Sequence, residues 1–363
     1  MDLSLCMIVR NEEAVLARCL ACVKDVVDEL VIVDTGSTDN TRKIARSFTP
    51  HVFEFPWVDD FALARNFAFS KATKPYVMWL DADDVITPES AARLKALKNS
   101  LDPAVDMVMM PYHVAFDPQG KPSLTYERER IVRRDAGFQW VGAIHEVITP
   151  AGQILHADIP VLHQKTGPGD PDRNLRIFEK MISNGQALSP REEYYYAREL
   201  MFHQRLDEAI GKLEQYLNAG QGWRENMISA CLDLSNCCLS LGKKQESLTA
   251  LFRSFQYDAP RAEVCCQIGK HFYDEENFKI AAFWYELAAF GNIPRTSDGF
   301  IQPDCHGYIP YMQLCVCHHR MGNLEKAIEC NDIAGKIKPD DASYLYNKAF
   351  FASLSGKEEG KED

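Results

Sequence analysis

The chain has 363 residues, more than one ordinary domain needs, with 46% hydrophobic and 25% charged residues, so two globular domains are expected. Its net charge of −12 argues against general nucleic-acid binding. An anionic ligand would have to be met by local arginines, backbone amides or a metal. No window approaches the roughly 18 apolar residues of a membrane span. The apolar N-terminal run is cut by Arg10-Asn11-Glu12-Glu13, so a signal peptide is not expected either and the reading is cytoplasmic.

Leu3 to Val9 is a near-continuous apolar run that reads as a buried strand. The helix expected from Glu12 to about Val23 carries Val15, Leu16, Cys19, Leu20 and Val23 on one face. Glu29 to Asp34 is a second buried strand, and it ends in a carboxylate. Thr35 to Thr41 supplies a turn and helix caps, with the helix running on to Phe48. A short strand at His51 to Phe55 and a helix from about Phe61 to Lys71 lead to the strand Val77 to Leu80 and then to Asp81-Ala82-Asp83-Asp84. The connections are too long for hairpins, so a mainly parallel, doubly wound α/β sheet is predicted. No G-x-G-x-x-G follows the first strand and no G-x-x-x-x-G-K-[ST] occurs, which disfavours a dinucleotide fold or a P-loop.

Carboxylates thus end two strands, at Asp34 and at Asp81/Asp83, on the edge where open α/β sheets bind ligands. Like charges this close repel, and burying them is costly without a cation or hydrogen bonds. One reading is a divalent metal holding a phosphorylated ligand. The other is a solvated acidic turn capping the next helix. That helix is expected from Pro88 to about Leu101, and a further strand from Val105 to Pro111. Glu127 to Arg134, dense in guanidinium, reads either as part of an anion pocket or as a charged strand edge. Cys19-x-x-Cys22 has zinc or redox spacing but no second pair nearby, and the 12 cysteines as a set read as structural thiols of a reducing compartment.

Ser4 to Glu13, Val31 to Asp39, Ala64-Arg65-Asn66 and Leu80 to Asp84 stand in the order and spacing of family 2 glycosyltransferases, which this part of the chain resembles. The resemblance implies a GT-A fold, a nucleotide-diphosphate sugar as donor (most commonly UDP-linked) and inversion at the anomeric carbon. It implies that Asp34 accepts a hydrogen bond from the base, with Val9 and Glu12 lining the same pocket and Arg65 contacting the nucleotide. Asp81, with Ala82 beside it, would face the ribose or metal, and Asp83 would ligate Mn²⁺ or Mg²⁺. Hard carboxylate oxygens suit these cations. Trp140-x-Gly142-x-x-His145-Glu146 resembles a block of bacterial family 2 enzymes fused to tetratricopeptide repeats, as in sublancin-type peptide S/O-glycosyltransferases. An inverting transfer needs a general base, which is read as Glu146 with His145 assisting, the reverse assignment staying open. His163 fits the position of a further metal ligand, against an ordinary core histidine. Where the family usually continues with a Gly-aromatic pair, this chain has Gln164-Lys165-Thr166-Gly167.

Beyond a turn-rich hinge at 166–172 and a connecting helix from Arg173, the sequence repeats. Small residues expected at the close-packing position of each second helix fall at Ala209, Ser247, Ala281 and Ala327. The step from Ser247 to Ala281 is the 34 residues of a tetratricopeptide repeat, and the longer steps on either side leave extra residues near Gly220 and between Pro294 and Gly307. Gly269, Ser235 and Cys315 take the matching position of the first helices, and a degenerate fifth unit, Ser343 to Leu354, would cap the array.

The expected organisation is a GT-A domain at 1–165, a hinge and connecting helix at 166–190, an all-α tetratricopeptide-like domain at 191–355 and a charged tail at 356–363. Repeats of this kind hold extended polypeptides or pack subunits. A peptide or protein acceptor modified on Cys or Ser is therefore expected, and a homodimer through the repeats is left open. An acceptor on a surface glycan or lipid is the alternative. A non-catalytic scaffold is the rival from another class.

Overall fold

Leu3, Leu5 and Met7 of β1 (Leu3–Val9) are buried on one face of the sheet and Cys6 on the other, so this strand has no solvent side. That is why its sequence is continuously apolar rather than alternating. The computed structural model describes residues 1–117, 120–164, 170–290 and 301–358. Residues 166–169 of the expected hinge, Arg295, Asp298 and Phe300 of the expected insertion, and 359–363 lie outside this description. The described chain divides into two units, Met1–Glu199 and Leu200–Asp363.

In the first unit, β1, β2 (Glu29–Asp34), β3 (Val52–Glu54) and β4 (Tyr76–Trp79) run parallel in the spatial order β3-β2-β1-β4. Between them come α1 (Leu16–Val23), α2 (Thr41–Phe48) and α3 (Phe61–Lys71). After β5 (Asp84–Val85) and α4 (Pro88–Ser100), the long antiparallel pair β6 (Met107–Phe116) and β7 (Pro122–Arg133) extends the sheet, with β7 docked antiparallel against β4. The small hairpin β8 (Trp140–Val141) and β9 (Val147–Ile148) stands apart. β10 (Ile154–His156) and β11 (Val161–His163) then pair parallel with β6, and β11 closes antiparallel onto β5. The sheet is mainly parallel and doubly wound, as predicted. Met78 joins the core on the α1 and α4 side, whereas Val77 and Trp79 join the core on the α3 side. Burial of these two apolar layers is the main force holding the unit together.

Two local expectations change. Glu127 to Arg134 is not a charged edge: β7 lies inside the sheet between β4 and β6, and Arg130 is fully buried. Nor does the acidic turn cap α4, because the Thr87 side chain accepts from Ser90 N–H (3.1 Å) and Pro88 takes the first helical position. The unit is completed by α5 (Arg173–Ser183) and the part of α6 (Pro190–Phe202) that precedes residue 200.

The second unit is all helical, with α7 (Leu206–Ala219), α8 (Arg224–Ser240), α9 (Lys244–Arg253), α10 (Ala262–Asp274), α11 (Phe278–Phe290), α12 (Tyr308–Arg320), α13 (Leu324–Ile337) and α14 (Ala342–Glu358). Ala209, Ser247, Ala281 and Ala327 are all buried at the predicted close-packing positions. Ser235 and Ser247 hydrogen-bond across α8 and α9 at 2.7 Å. A Cβ on Gly269 of α10 would meet the Tyr285 ring of α11 at 2.9 Å, so this approach needs glycine. These are tetratricopeptide-like helix pairs. All twelve cysteines of the chain are free, and eleven are buried. Among the described residues no helix is long and apolar enough to cross a membrane.

Candidate active site

Asp34 ends β2 directly opposite Val9, the last residue of β1. The Val9 carbonyl is taken by Thr35, whose N–H and hydroxyl both donate to it (2.9 and 3.2 Å). Gly36, with φ 109°, turns the chain back so that its own N–H and that of Ser37 donate to Asp34 Oδ1 (3.1 and 3.0 Å). Arg42 Nε donates to the same oxygen at 2.7 Å. Burial alone would raise this carboxyl, but the hydrogen bonds from Ser37, Arg42 and Gly36 hold it below the usual carboxylate range. Asp34 Oδ2 is buried and has no hydrogen-bond partner among the described residues. A buried acceptor left so is costly, and a ligand N–H would satisfy it.

The acidic turn after β4 forms the other end. Asp84 is fully buried, with its side chain 0% exposed, and its two oxygens are engaged: Oδ1 accepts from Tyr112 O–H (2.8 Å), and Oδ2 from Arg130 Nη1 (2.9 Å) and Asp81 N–H (3.1 Å). His163 is the register partner of Asp84 across β11 and β5, which puts its Nδ1 3.3 Å from Asp83 Oδ1 and 3.0 Å from Tyr112 Oη. Hydrogen bonds to Asp83 and Asp84 push the His163 imidazole up to about 10. Arg18 of α1 ties the turn from below, donating to Gln164 O at 2.7 Å. Ala82 is buried, and Asp81 and Asp83 remain partly exposed. Glu12 lies in the turn before α1, half-buried. Burial and then the charges of Asp83, Asp81 and Asp39 push its carboxyl up to about 7.

Arg65 links this turn to the Trp140–Glu146 block. Its Nη2 donates to Asp81 Oδ1 (2.7 Å) and its Nε to Glu146 Oε1 (2.6 Å). The buried guanidinium lies against the rings of both Trp79 (4.9 Å) and Trp140 (4.8 Å), which meet edge to face beside it. Arg130 and Arg128 also lie over Trp79, at 3.9 and 4.7 Å, so three guanidinium groups surround the indole just ahead of three carboxylates. Their charges compensate the acidic turn. Glu146 is thereby brought to the carboxylate end of the sheet, whereas His145 turns away: its Nε2 lies 3.0 Å from Glu199 Oε1 and its ring stacks on Tyr195.

Asp83, Asp84 and His163 are the group among the described residues whose ligand atoms cluster closely enough to hold a metal ion. The carboxylates fit Mn²⁺ or Mg²⁺, and imidazole beside them is acceptable to Mn²⁺. Within this group both Asp84 oxygens are engaged by the protein, and His163 Nδ1 lies against Tyr112 Oη and Asp83 Oδ1. Sequence reasoning missed Arg130, Tyr112 and Glu199.

Residues 4–157 match the family described as glycosyl transferase family 2. The chain is 26% identical over 226 residues to the SPbeta prophage-derived glycosyltransferase SunS of Bacillus subtilis, covering 58% of this chain and 52% of that one. It is 47% identical over 95 residues to a TPR repeat-containing protein of Synechococcus elongatus, covering 26% and 24%. It therefore spans about half or less of the length of these curated relatives. Among solved structures, YrrB, described as a TPR protein with an unusual peptide-binding site, superposes with a TM-score of 0.38 at 19% identity, covering 49% of this chain and 84% of that one. The family match at residues 4–157 covers fewer than half of the residues and falls on the sheet of the first unit, and the chain continues beyond it into tetratricopeptide-like helix pairs.

Proposed function

We propose that the chain is an inverting, metal-dependent glycosyltransferase. It would move a hexose or N-acetylhexosamine from a nucleotide-diphosphate sugar, UDP-linked, to Cys or Ser of a peptide or protein held by the repeat unit. The observation that carries this reading is Asp34 Oδ2, a buried acceptor with no partner among the described residues, at the same sheet edge as the Asp83–His163 pair. One end of that edge suits the ring N–H of a base, and the other suits a cation on a diphosphate.

On this reading Asp34 receives the base, with Val9 and Glu12 beside it. Asp81 faces the ribose, and Asp83 and His163 hold Mn²⁺ or Mg²⁺. The bound cation supplies charge neutralisation for the departing diphosphate. Glu146 takes the proton of the acceptor O–H or S–H. The freed lone pair attacks the anomeric carbon from the face opposite the leaving group, and the carbon–oxygen bond to the nucleoside diphosphate breaks. Arg65 orients Glu146 and Asp81 together rather than competing for the nucleotide, because its fork already engages both carboxylates. His145 is left outside the chemistry by its contacts with Glu199 and Tyr195.

The test is a screen of UDP-sugars with Cys- and Ser-containing peptides and with glycan acceptors, in Mn²⁺ and in EDTA. Peptide glycosylation that EDTA abolishes, and that Asp83→Ala reduces by about 1,000-fold, is expected. Donor turnover in Asp83→Ala equal to wild type would remove the metal-dependent reading. Transfer to a glycan or lipid while every peptide stays inert would overturn the acceptor.

A further inference from the structure

His145 has φ 51°, a left-handed conformation that a non-glycine residue keeps only where its surroundings hold it. Here the surroundings are one face of α6. Arg191, Tyr195 and Glu199 are spaced four residues apart and so share a stripe along the helix. Each reaches a different part of His145. Arg191 Nε donates to its backbone carbonyl (3.1 Å), the Tyr195 ring stacks on the imidazole with centroids 4.1 Å apart and planes 15° from parallel, and Glu199 Oε1 lies 3.0 Å from Nε2. A carboxylate only accepts, so Nε2 carries the hydrogen of that contact. Asn174 of α5 donates to the same Glu199 oxygen at 3.1 Å, and the Arg191 guanidinium lies 4.8 Å over the Tyr195 ring, so the helix's own side chains are fixed in turn. From the opposite side, Phe61 N–H donates to Ala143 O (2.8 Å) and Asn66 holds Trp140 through two 2.9 Å bonds. The turn is held from both sides, and its next residue is Glu146.

We propose that Arg191, Tyr195 and Glu199 are positioning residues for the glycosyl-transfer step: by locking His145 in its left-handed conformation they set the direction of the adjoining Glu146 carboxylate. This rests on the reading of Glu146 as the general base. It also assigns the first turns of α6 to catalysis rather than to the repeat domain expected at 191–355. A side chain displaced by about 1 Å can cost about 100-fold in rate, so removing one contact should be felt in kcat without touching the nucleotide pocket.

The experiment uses the full chain with UDP-sugar and a Cys- or Ser-containing peptide. Calorimetry of Mn²⁺–UDP and amide hydrogen exchange of residues 142–148 run beside it. Tyr195→Leu, Glu199→Gln and the half-exposed Arg191→Met are each expected to lower kcat by about 10- to 100-fold. Each should quicken exchange in 142–148 and leave Mn²⁺–UDP affinity within about twofold, while Tyr195→Phe, which keeps the stack, retains kcat. Unchanged kcat and exchange in all three variants, with Glu146→Gln abolishing transfer, would overturn the role of α6 and leave the base assignment standing. Wild-type transfer by Glu146→Gln would instead remove the base assignment, and with it the positioning claim.

Discussion

Asp34 and Asp84 are both buried carboxylates at strand ends of one sheet, yet they are fastened differently. Asp34 is held by residues two, three and eight positions along the chain, and one of its oxygens is left over. Asp84 is held by Tyr112 and Arg130, 28 and 46 positions away, with one local bond from Asp81 N–H, and both of its oxygens are engaged. The first keeps an acceptor open at the sheet edge, and the second ties distant strands to the acidic turn. A buried charge with a full set of partners contributes orientation more than net stability.

The contrast can be broken most sharply at Arg130. Arg130→Met takes the guanidinium from buried Asp84 and leaves only the His163 imidazole, 3.7 Å from its Oδ1, so a loss of about 3 kcal/mol in chemical denaturation is expected. A loss below about 1 kcal/mol would mean that the acidic turn is not fastened from a distance. At the other end, Asp34→Asn should weaken Mn²⁺–UDP binding by about 1.5–3 kcal/mol in calorimetry, because the charge-assisted bond to a base is reduced. Equal binding would show that Asp34 Oδ2 receives nothing. Glu12 reports on how far the charge of one end reaches towards the other. Its carboxyl is raised from 4.5 to about 7, so the folded chain holds that proton more tightly than the unfolded chain, and stability falls as pH rises through this window. With EDTA present, Glu12→Gln should flatten the decline and gain about 1–2 kcal/mol at pH 8, a range reduced for the half-exposed site. No gain would disconnect Glu12 from Asp81 and Asp83. The smallest effect is expected at Arg42→Ala. Asp34 keeps its bonds from Gly36 and Ser37, so the melting temperature should hardly move, and a large drop would show that the Asp34 end depends on one partner after all.

These differences also explain what could be read in the chain beforehand. Strand ends carrying Asp34, Asp81 and Asp83 were legible because apolar runs stop abruptly at them. Repeat positions such as Ala281 and Gly269 were legible because helix pairing demands small residues at a fixed period. The setting of Arg130 was not, because a run of four arginines and two glutamates from Glu127 to Arg134 looks solvated. Only the pairing of β7 between β4 and β6, a long-range event, puts that guanidinium in the core. Likewise His145 and Glu146 are neighbours with the same apparent candidacy. Their separation comes from a backbone turn and a helix about 50 residues further on, neither of which leaves a local trace.

His163 arrives on β11, the last strand to join the sheet, in register with Asp84 on the two-residue strand β5. Strand pairing has a period of two, so a slip of one residue would present Leu162 or Gln164 in its place. The cation cluster therefore comes into being only once the chain has been made as far as β11 and that short pairing has closed. During synthesis, the turn around Asp34 can assemble early from contiguous chain. The Asp83–Asp84–His163 cluster comes late, once the whole sheet is complete.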